Sequence, residues 1–224
     1  MRIEKNKIYN MDCIEGMKKL DDNSVDLIIC DYPFNCQDER KDYFEFVKET
    51  ADEFFRLLKD GGNLLIINNP TNMFKISKYF ENFNFRNGVA LIRKGSLRPA
   101  WMLGFQHNYM YLLIKGDNKK IKWNGTKKNH DKEFKTDVIQ YQNGYRGKKN
   151  MWHPQAIPLD FTKFFIEILS DKNDIVLDPF MGSGTTAVAC DGLQRDYIGF
   201  EISKKYCDIA EQRLDKWKEQ KRLF

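Results

Sequence analysis

The chain has 224 residues, 42% hydrophobic and 14% aromatic, enough for one sizeable domain with a buried core and too apolar for a disordered polymer. Charged residues make up 31%, and no long uncharged run interrupts them, so no membrane-spanning helix is expected. The net charge of +5 is not spread evenly. Residues 116–150 hold ten Lys and Arg side chains against four acids, a local excess larger than that of the whole chain.

The first residues, Met1 to Lys7, have no apolar stretch behind their charges, which argues against a secretion signal. Asp12 stands before a short helix expected over residues 13–20, where a carboxylate would serve as an N-cap. An apolar run over residues 25–30 reads as a buried strand leading into Asp31-Tyr32-Pro33-Phe34. In open α/β sheets ligands bind at the carboxyl ends of strands. Asp31 at such an end, a rigid Pro33 and an aromatic Phe34 could hold a planar amine. The carboxylate and a backbone carbonyl would accept its N–H groups, and the ring would stack on it. An ordinary Asp-Tyr-Pro turn is the other reading of this tetrapeptide taken alone.

Phe44, Val47, Ala51, Phe54, Phe55 and Leu58 recur at helical spacing, with Gly61-Gly62 as the expected stop. Strands are expected at residues 64–67, 89–92 and 109–114, mostly as continuous apolar runs that suit a sheet covered on both faces. Residues 116–150 break the rhythm. Two Asn-Gly pairs and the aromatics Trp123, Phe134, Tyr141 and Tyr145 are interleaved with basic residues, as in an insertion on a single domain spanning 1–224. A second helical stripe runs from Phe161 to Leu169, and a strand is expected at 175–177.

The strongest local signal is Asp178-Pro179-Phe180-Met181-Gly182-Ser183-Gly184-Thr185-Thr186. Glycines let a backbone approach a ligand closely, and a helix starting near Thr185 would offer free N–H groups. No Lys succeeds the glycines, which disfavours a P-loop. The next strand, 197–200, leads to Glu201, placed to accept both hydroxyls of a ribose. Tyr206, Ile209, Ala210, Leu214 and Trp217 form a last helical stripe. Only one helix fits after Glu201, so the nucleotide-binding strand comes late in sequence and the order reads as circularly permuted. Five cysteines (13, 30, 36, 190, 207) form no C-x-x-C pair, and three His are scattered, so no metal site is expected. Reduced thiols suit the cytoplasm.

Together these pieces resemble the permuted beta class of S-adenosylmethionine-dependent DNA amino-methyltransferases. Asp178 to Thr186 is similar to the family's cofactor loop. Arg195 to Glu201 and Tyr206 to Leu214 are similar to its next strand and helix, Trp152-His153-Pro154-Gln155-Ala156-Ile157-Pro158 to its His-Pro segment, and Asn10 to Cys13 to its adenine-contacting turn. The resemblance implies a Rossmann-like α/β class I methyltransferase fold in permuted order with a small basic insert. It implies S-adenosylmethionine held by Asp12, Cys13, Asp178, Phe180, Gly182, Gly184, Thr185 and Glu201, with His153 and Gln155 on its far side. Asp31, Tyr32, Pro33 and Phe34 would be the catalytic set, acting on a base flipped out of duplex DNA. The basic insert would be the target-recognition segment. Lys119, Lys120, Lys122, Lys127, Lys128, Lys148 and Lys149 would meet phosphates, and Trp123, Asn124, Gln140, Gln142, Asn143 and Arg146 would read or wedge bases.

Two departures stand out. The family usually has Pro where this chain has Tyr32, which predicts a less rigid loop and leaves a weakly active or non-catalytic DNA-binding relative as an alternative. The common His-Pro-Thr-Gln-Lys-Pro form appears without its Lys. A tetrapeptide opening with Asp favours adenine N6 as the target, with cytosine N4 the alternative by the same chemistry. Expected partners are double-stranded DNA, a second copy of the chain and a cognate restriction endonuclease, with no membrane.

Overall fold

The computed structural model describes residues 2–33, 43–94, 107–117, 124, 137–142 and 157–221. In chain order the elements are β1 (Lys7–Asn10), α1 (Cys13–Met17), β2 (Val25–Asp31), α2 (Tyr43–Leu57), β3 (Leu58–Asn68), α3 (Pro70–Ile76), a short 3-10 turn (Ser77–Phe80), β4 (Asn84–Lys94) and β5 (His107–Ile114). Then come β6 (Val138–Gln142), α4 (Leu159–Leu169), β7 (Ile175–Asp178), α5 (Thr185–Leu193), β8 (Asp196–Glu201) and α6 (Lys204–Lys221). The strands form one eight-stranded sheet in the order β1-β8-β7-β2-β3-β5-β4-β6. All neighbours are parallel except β3–β5 and β4–β5, so among the described strands β5 alone is reversed.

Strand alternation explains why the sheet is buried on both faces. Ile28 and Cys30 of β2 join the core layer with α2, whereas Leu27 and Ile29 join the layer with α4 and α5. Every one of these four side chains is buried. The chain leaves β7 through α5 toward β8 on one side, and leaves β2 through α2 toward β3 on the other. The topological switch point therefore lies between β7 and β2, whose carboxyl ends carry Asp178 and Asp31.

The structure revises two expectations and adds a strand outside the expected apolar runs. Gly61-Gly62 does not stop α2. The helix ends at Leu57, and β3 starts at once at Leu58. Gly61 adopts φ +80°, and the β2–β3 register slips between Val25 and Leu27, so the glycine makes room for a bulge inside the strand. Residues 138–142, read as part of an insert, add β6 to the sheet beside β4. The Lys7–Asn10 run, too short and polar to read as a strand, pairs with β8 along its whole length.

Candidate active site

The amino-terminal half of the site is the end of β2 and the turn that leaves it. Asp31 is the last residue of β2, and Oδ1 of its carboxyl is buried. By alternation it belongs to the same sheet face as Leu27 and Ile29, and Asp178 belongs with Val176 on that face. Both acids thus belong to one face at the switch point. Tyr32 turns the other way. Its side chain is 0% exposed, packed at 5.4 Å (ring centroids) on Phe180 and at 6.5 Å, edge-on, to Phe46. The Tyr32 hydroxyl lies 2.6 Å from Oγ1 of Thr50 in α2, and that Thr hydroxyl donates to the Val47 carbonyl at 2.9 Å. With the Thr proton committed to Val47, the Tyr hydroxyl is the donor in the pair. Burial pushes the phenol well above its ordinary range, which keeps that proton in place. Sequence reading expects Tyr32 to loosen this turn; the structure instead fixes its side chain in the core.

The carboxy-terminal half is built by β7, the glycine turn and β8. Asp178 accepts the Phe180 amide at 2.9 Å on Oδ1 and the Thr186 hydroxyl at 2.6 Å on Oδ2. Burial pushes its carboxyl up to about 6, helped by the negative Glu201 and opposed by the Thr186 and Phe180 bonds. Gly182 (φ +51°) and Gly184 (φ +80°) hold left-handed backbone. A Cβ on Gly184 would lie 2.8 Å from that of Ala210 in α6, so both backbone freedom and absence of bulk are needed there. Glu201 is fixed by two amides, Gly182 at 2.9 Å and Ser203 at 2.8 Å. β1 runs beside β8 with Asn10 opposite Glu201, which brings the Asp12–Cys13 turn to the same edge. Asp12 caps α1, with Oδ1 accepting the Ile14 and Glu15 amides at 2.9 and 3.3 Å.

Three contributors escape a motif reading. Arg213 of α6 donates to the Ser183 carbonyl at 3.1 Å, the Ser183 hydroxyl at 3.4 Å and the Thr185 hydroxyl at 2.9 Å, clamping the glycine turn from behind. It lies inside the Tyr206–Leu214 stretch, but neither that likeness nor the helical stripe gives it this role. Ile202 is 69% exposed beside Glu201, an aliphatic surface at the carboxyl edge of the sheet. Thr50 lies on a helix face otherwise read only as core.

Cys30 sits between these halves, and burial pushes its thiol well above the ordinary value, which unfits it as a nucleophile. Among the described residues no group of His, Cys, Asp and Glu could hold a metal ion. Phe34, His153 and Gln155 lie outside the described residues, as do Lys119, Lys120, Lys122, Trp123, Lys127, Lys128, Arg146, Lys148 and Lys149. The side chains of Gln140 and Gln142, and all of Asn143, lie outside them too. Asn124 is described, and it does not read as a base contact. Its amide donates to the Ile168 carbonyl at 2.8 Å, and Nδ2 donates to the Ser170 carbonyl at 2.9 Å, to Asp171 at 3.1 Å and to the Glu167 carbonyl at 3.4 Å. These groups end α4 and precede the amino end of β7, on the opposite edge of the sheet from Asp31 and Asp178.

Comparison with known proteins decides what this arrangement is. The DNA methylase family model for N6 and N4 amino-methyltransferases matches residues 25–212. The chain belongs to that family. It is 30% identical to the type II methyltransferase M.BamHI of Bacillus amyloliquefaciens over 97% of its own length, although it spans only 59% of that relative. It is also 30% identical to the orphan methyltransferase M.BamHII of the same organism, covering 88% of this chain and 91% of the relative. Among solved structures, the M1.HpyAVI complex with S-adenosylmethionine superposes with a TM-score of 0.74 at 26% identity, over 93% of this chain and 98% of that one. The family is one of S-adenosylmethionine-dependent enzymes that methylate exocyclic amines of DNA bases, and the sheet, its permuted order and the paired strand ends fit its plan.

Proposed function

We propose that this protein transfers a methyl group from S-adenosylmethionine to the N6 amino group of adenine in a short duplex DNA site. The observation that carries the reading is the placement of Asp31 and Asp178 at adjacent strand ends of the switch point, with the glycine turn and Glu201 beside them. Asp178, the Gly182 and Gly184 backbone and Thr185 frame the methionine end of the cofactor. Glu201 takes the ribose hydroxyls, and Ile202 and the Asp12–Cys13 turn take the adenine. The residues fit that group: two carboxylates and a helix start are preset by Arg213, Thr186 and backbone amides.

S-adenosylmethionine supplies a methyl on a positively charged sulfur that departs as a neutral thioether. The chain's own work is on the amine. In the free base the nitrogen lone pair is delocalised into the ring. N–H bonds to the Asp31 carboxylate and the Tyr32 carbonyl draw the nitrogen toward tetrahedral geometry and release that lone pair for in-line attack. The proton that the nitrogen must shed once methylated passes along its hydrogen bond to the Asp31 carboxylate, which returns it to water. No cysteine is needed, in keeping with the buried Cys30. Holding amine and methyl in line in a water-poor cleft supplies much of the acceleration. Phe34 is the stacking platform for the flipped base, His153 and Gln155 border the cofactor, and the lysines of residues 116–150 contact phosphates.

Adenine is preferred over cytosine N4 because the tetrapeptide opens with Asp31. The same reading includes a second copy of the chain and a companion restriction endonuclease as partners, and a cytoplasmic setting, where Cys13, Cys30, Cys190 and Cys207 stay as the free thiols they are. The test is to incubate a mixed-sequence unmethylated plasmid with the protein and cofactor and to map modified bases by single-molecule sequencing. N6-methyladenine at one short motif is expected. N4-methylcytosine would move the target, and no modification at any sequence would end the proposal.

A further inference from the structure

We propose that Thr50 of α2 is a positioning residue for methyl transfer, acting through the Tyr32 hydroxyl to aim the Tyr32 carbonyl at the substrate amine. The inference rests on the function proposed above and adds to it a residue outside the cleft motifs, 18 positions along the chain from Tyr32. Where the family usually has proline, a ring fixes the backbone torsion φ of this position. Tyr32 has no such ring and obtains the same restriction from two other sources. Pro33 behind it confines its backbone to extended conformations. At the other end its side chain is pinned: the ring is buried between Phe46 and Phe180, and the hydroxyl donates to Thr50. Thr50 in turn commits its own proton to the Val47 carbonyl of the same helix, so its oxygen lone pairs face the phenol with no competing orientation. A backbone held by proline on one side and by a hydrogen-bonded ring on the other leaves the carbonyl little angular freedom.

The Phe180 contact extends the consequence. Phe180 belongs to the cofactor turn, and its amide is held by Asp178. Phe46 packs on both Tyr32 and Phe180, with ring centroids 6.0 Å apart in the second pair. The amine-holding turn and the cofactor turn thus share one aromatic cluster on α2, and the Tyr32–Thr50 bond fixes the orientation of the ring common to them.

The test measures steady-state methyl transfer from labelled S-adenosylmethionine to unmethylated plasmid DNA for wild type, Thr50→Val, Thr50→Ser, Tyr32→Phe and the Tyr32→Phe/Thr50→Val pair. Binding of S-adenosylhomocysteine is measured by calorimetry, which also counts active sites. Thr50→Val and Tyr32→Phe are each expected to lower kcat roughly fivefold to tenfold, the size of one lost buried hydrogen bond. KM for plasmid and the calorimetric affinity should stay within about twofold. Thr50→Ser, which keeps the hydroxyl, should retain most of kcat, and the double variant should lose no more than either single one. Should Thr50→Val fold poorly, Tyr32→Phe, which removes only an oxygen, carries the comparison. Wild-type kcat in both variants, multiplicative losses in the double, or equal loss in Thr50→Ser would each overturn the positioning role while leaving the methyltransferase reading intact. A wild type that transfers no methyl overturns both.

Discussion

The two edges of the sheet use polar side chains in opposite ways. At the edge formed by the amino ends of β2, β7 and β8, charged and polar groups are paired into closed networks. Asp26, 3% exposed, accepts from Lys59 at 2.8 Å and from the Ile175 amide at 3.0 Å. The buried Arg195 donates to the Ser170 carbonyl at 2.6 Å and the Ser170 hydroxyl at 3.1 Å, and Asn124 donates to that same carbonyl. At the carboxyl edge Asp178 and Glu201 are held on both carboxylate oxygens by neutral donors. Asp178 and Glu201 accept amides and a hydroxyl of the neighbouring turn, and those bonds orient them without supplying a cation. Among the described residues no salt bridge reaches Asp178 or Glu201. Networks closed on themselves stabilise a fold; carboxylates oriented by amides and hydroxyls suit a ligand that brings its own positive charge and N–H groups.

The largest effect is expected at Asp31, on the carboxyl edge. Replacing it with Ala should lower kcat for methyl transfer by about a thousandfold, in the range of groups acting directly on a reacting centre. S-adenosylhomocysteine affinity and thermal stability should stay near wild type, because the proposed cofactor contacts lie on β7, β8 and the Asp12–Cys13 turn. A loss below tenfold, read in the labelled-methyl assay, would break the assignment of the two halves.

Asp178 gives the next effect, and its sign is set by burial. With a folded-state value of about 6 against an ordinary 3.8, the neutral form is favoured by the fold. That contribution to stability is fully present below the unfolded value and is lost as pH rises through about 6, a swing of about 3 kcal/mol at one pKa unit per 1.4 kcal/mol. The cationic amino group of the cofactor's methionine end prefers the ionised carboxylate. Cofactor affinity should therefore be flat above pH 7 and fall about tenfold per pH unit below 6, with a proton released on binding between pH 5 and 6. Calorimetry in buffers of different ionisation enthalpy measures both. Asp178→Asn should flatten the profile; an unchanged profile in that variant would place the titrating group elsewhere.

How much of this could be read beforehand depended on the range of the interaction. The tetrapeptide at Asp31, the glycine turn and Glu201 are contiguous and carry their chemistry in local spacing, and six of the eight strands declare themselves as apolar runs. β1 and β6 do not. Lys7–Asn10 is short and half polar, and Val138–Gln142 is a short run inside a polar, basic segment; they become strands because β8 and β4 offer them open edges. Gly61 misleads for a related reason, since a glycine that ends a helix and one that opens a bulge look alike in sequence. Arg213 and Thr50 are legible only once the helices are docked, because each acts on a segment distant along the chain. Tyr32 is the instructive case. As a departure from proline it reads as lost rigidity, and only the burial of its ring and the partner on α2 turn it into an anchored residue.

The smallest effect tests the quiet edge. Asn124 falls in the basic segment 116–150, and its position among Lys and Trp invites a role in reading bases. Its bonds to the end of α4 argue otherwise. Asn124→Ala removes three side-chain bonds but leaves the backbone bond to Ile168. The Glu167 and Ser170 carbonyls retain Arg195 as donor at 3.4 and 2.6 Å, so neither is left buried without a partner. The cost should thus be near that of a single net hydrogen bond, about 1 kcal/mol of stability in denaturant unfolding. DNA affinity, measured at fixed salt, should stay within about twofold, because the side chain is bonded at the amino edge and the proposed base site lies at the carboxyl edge. If affinity instead fell tenfold with stability unchanged, the division of labour between the edges would fail at this residue, and the recognition surface would have to wrap around the end of α4.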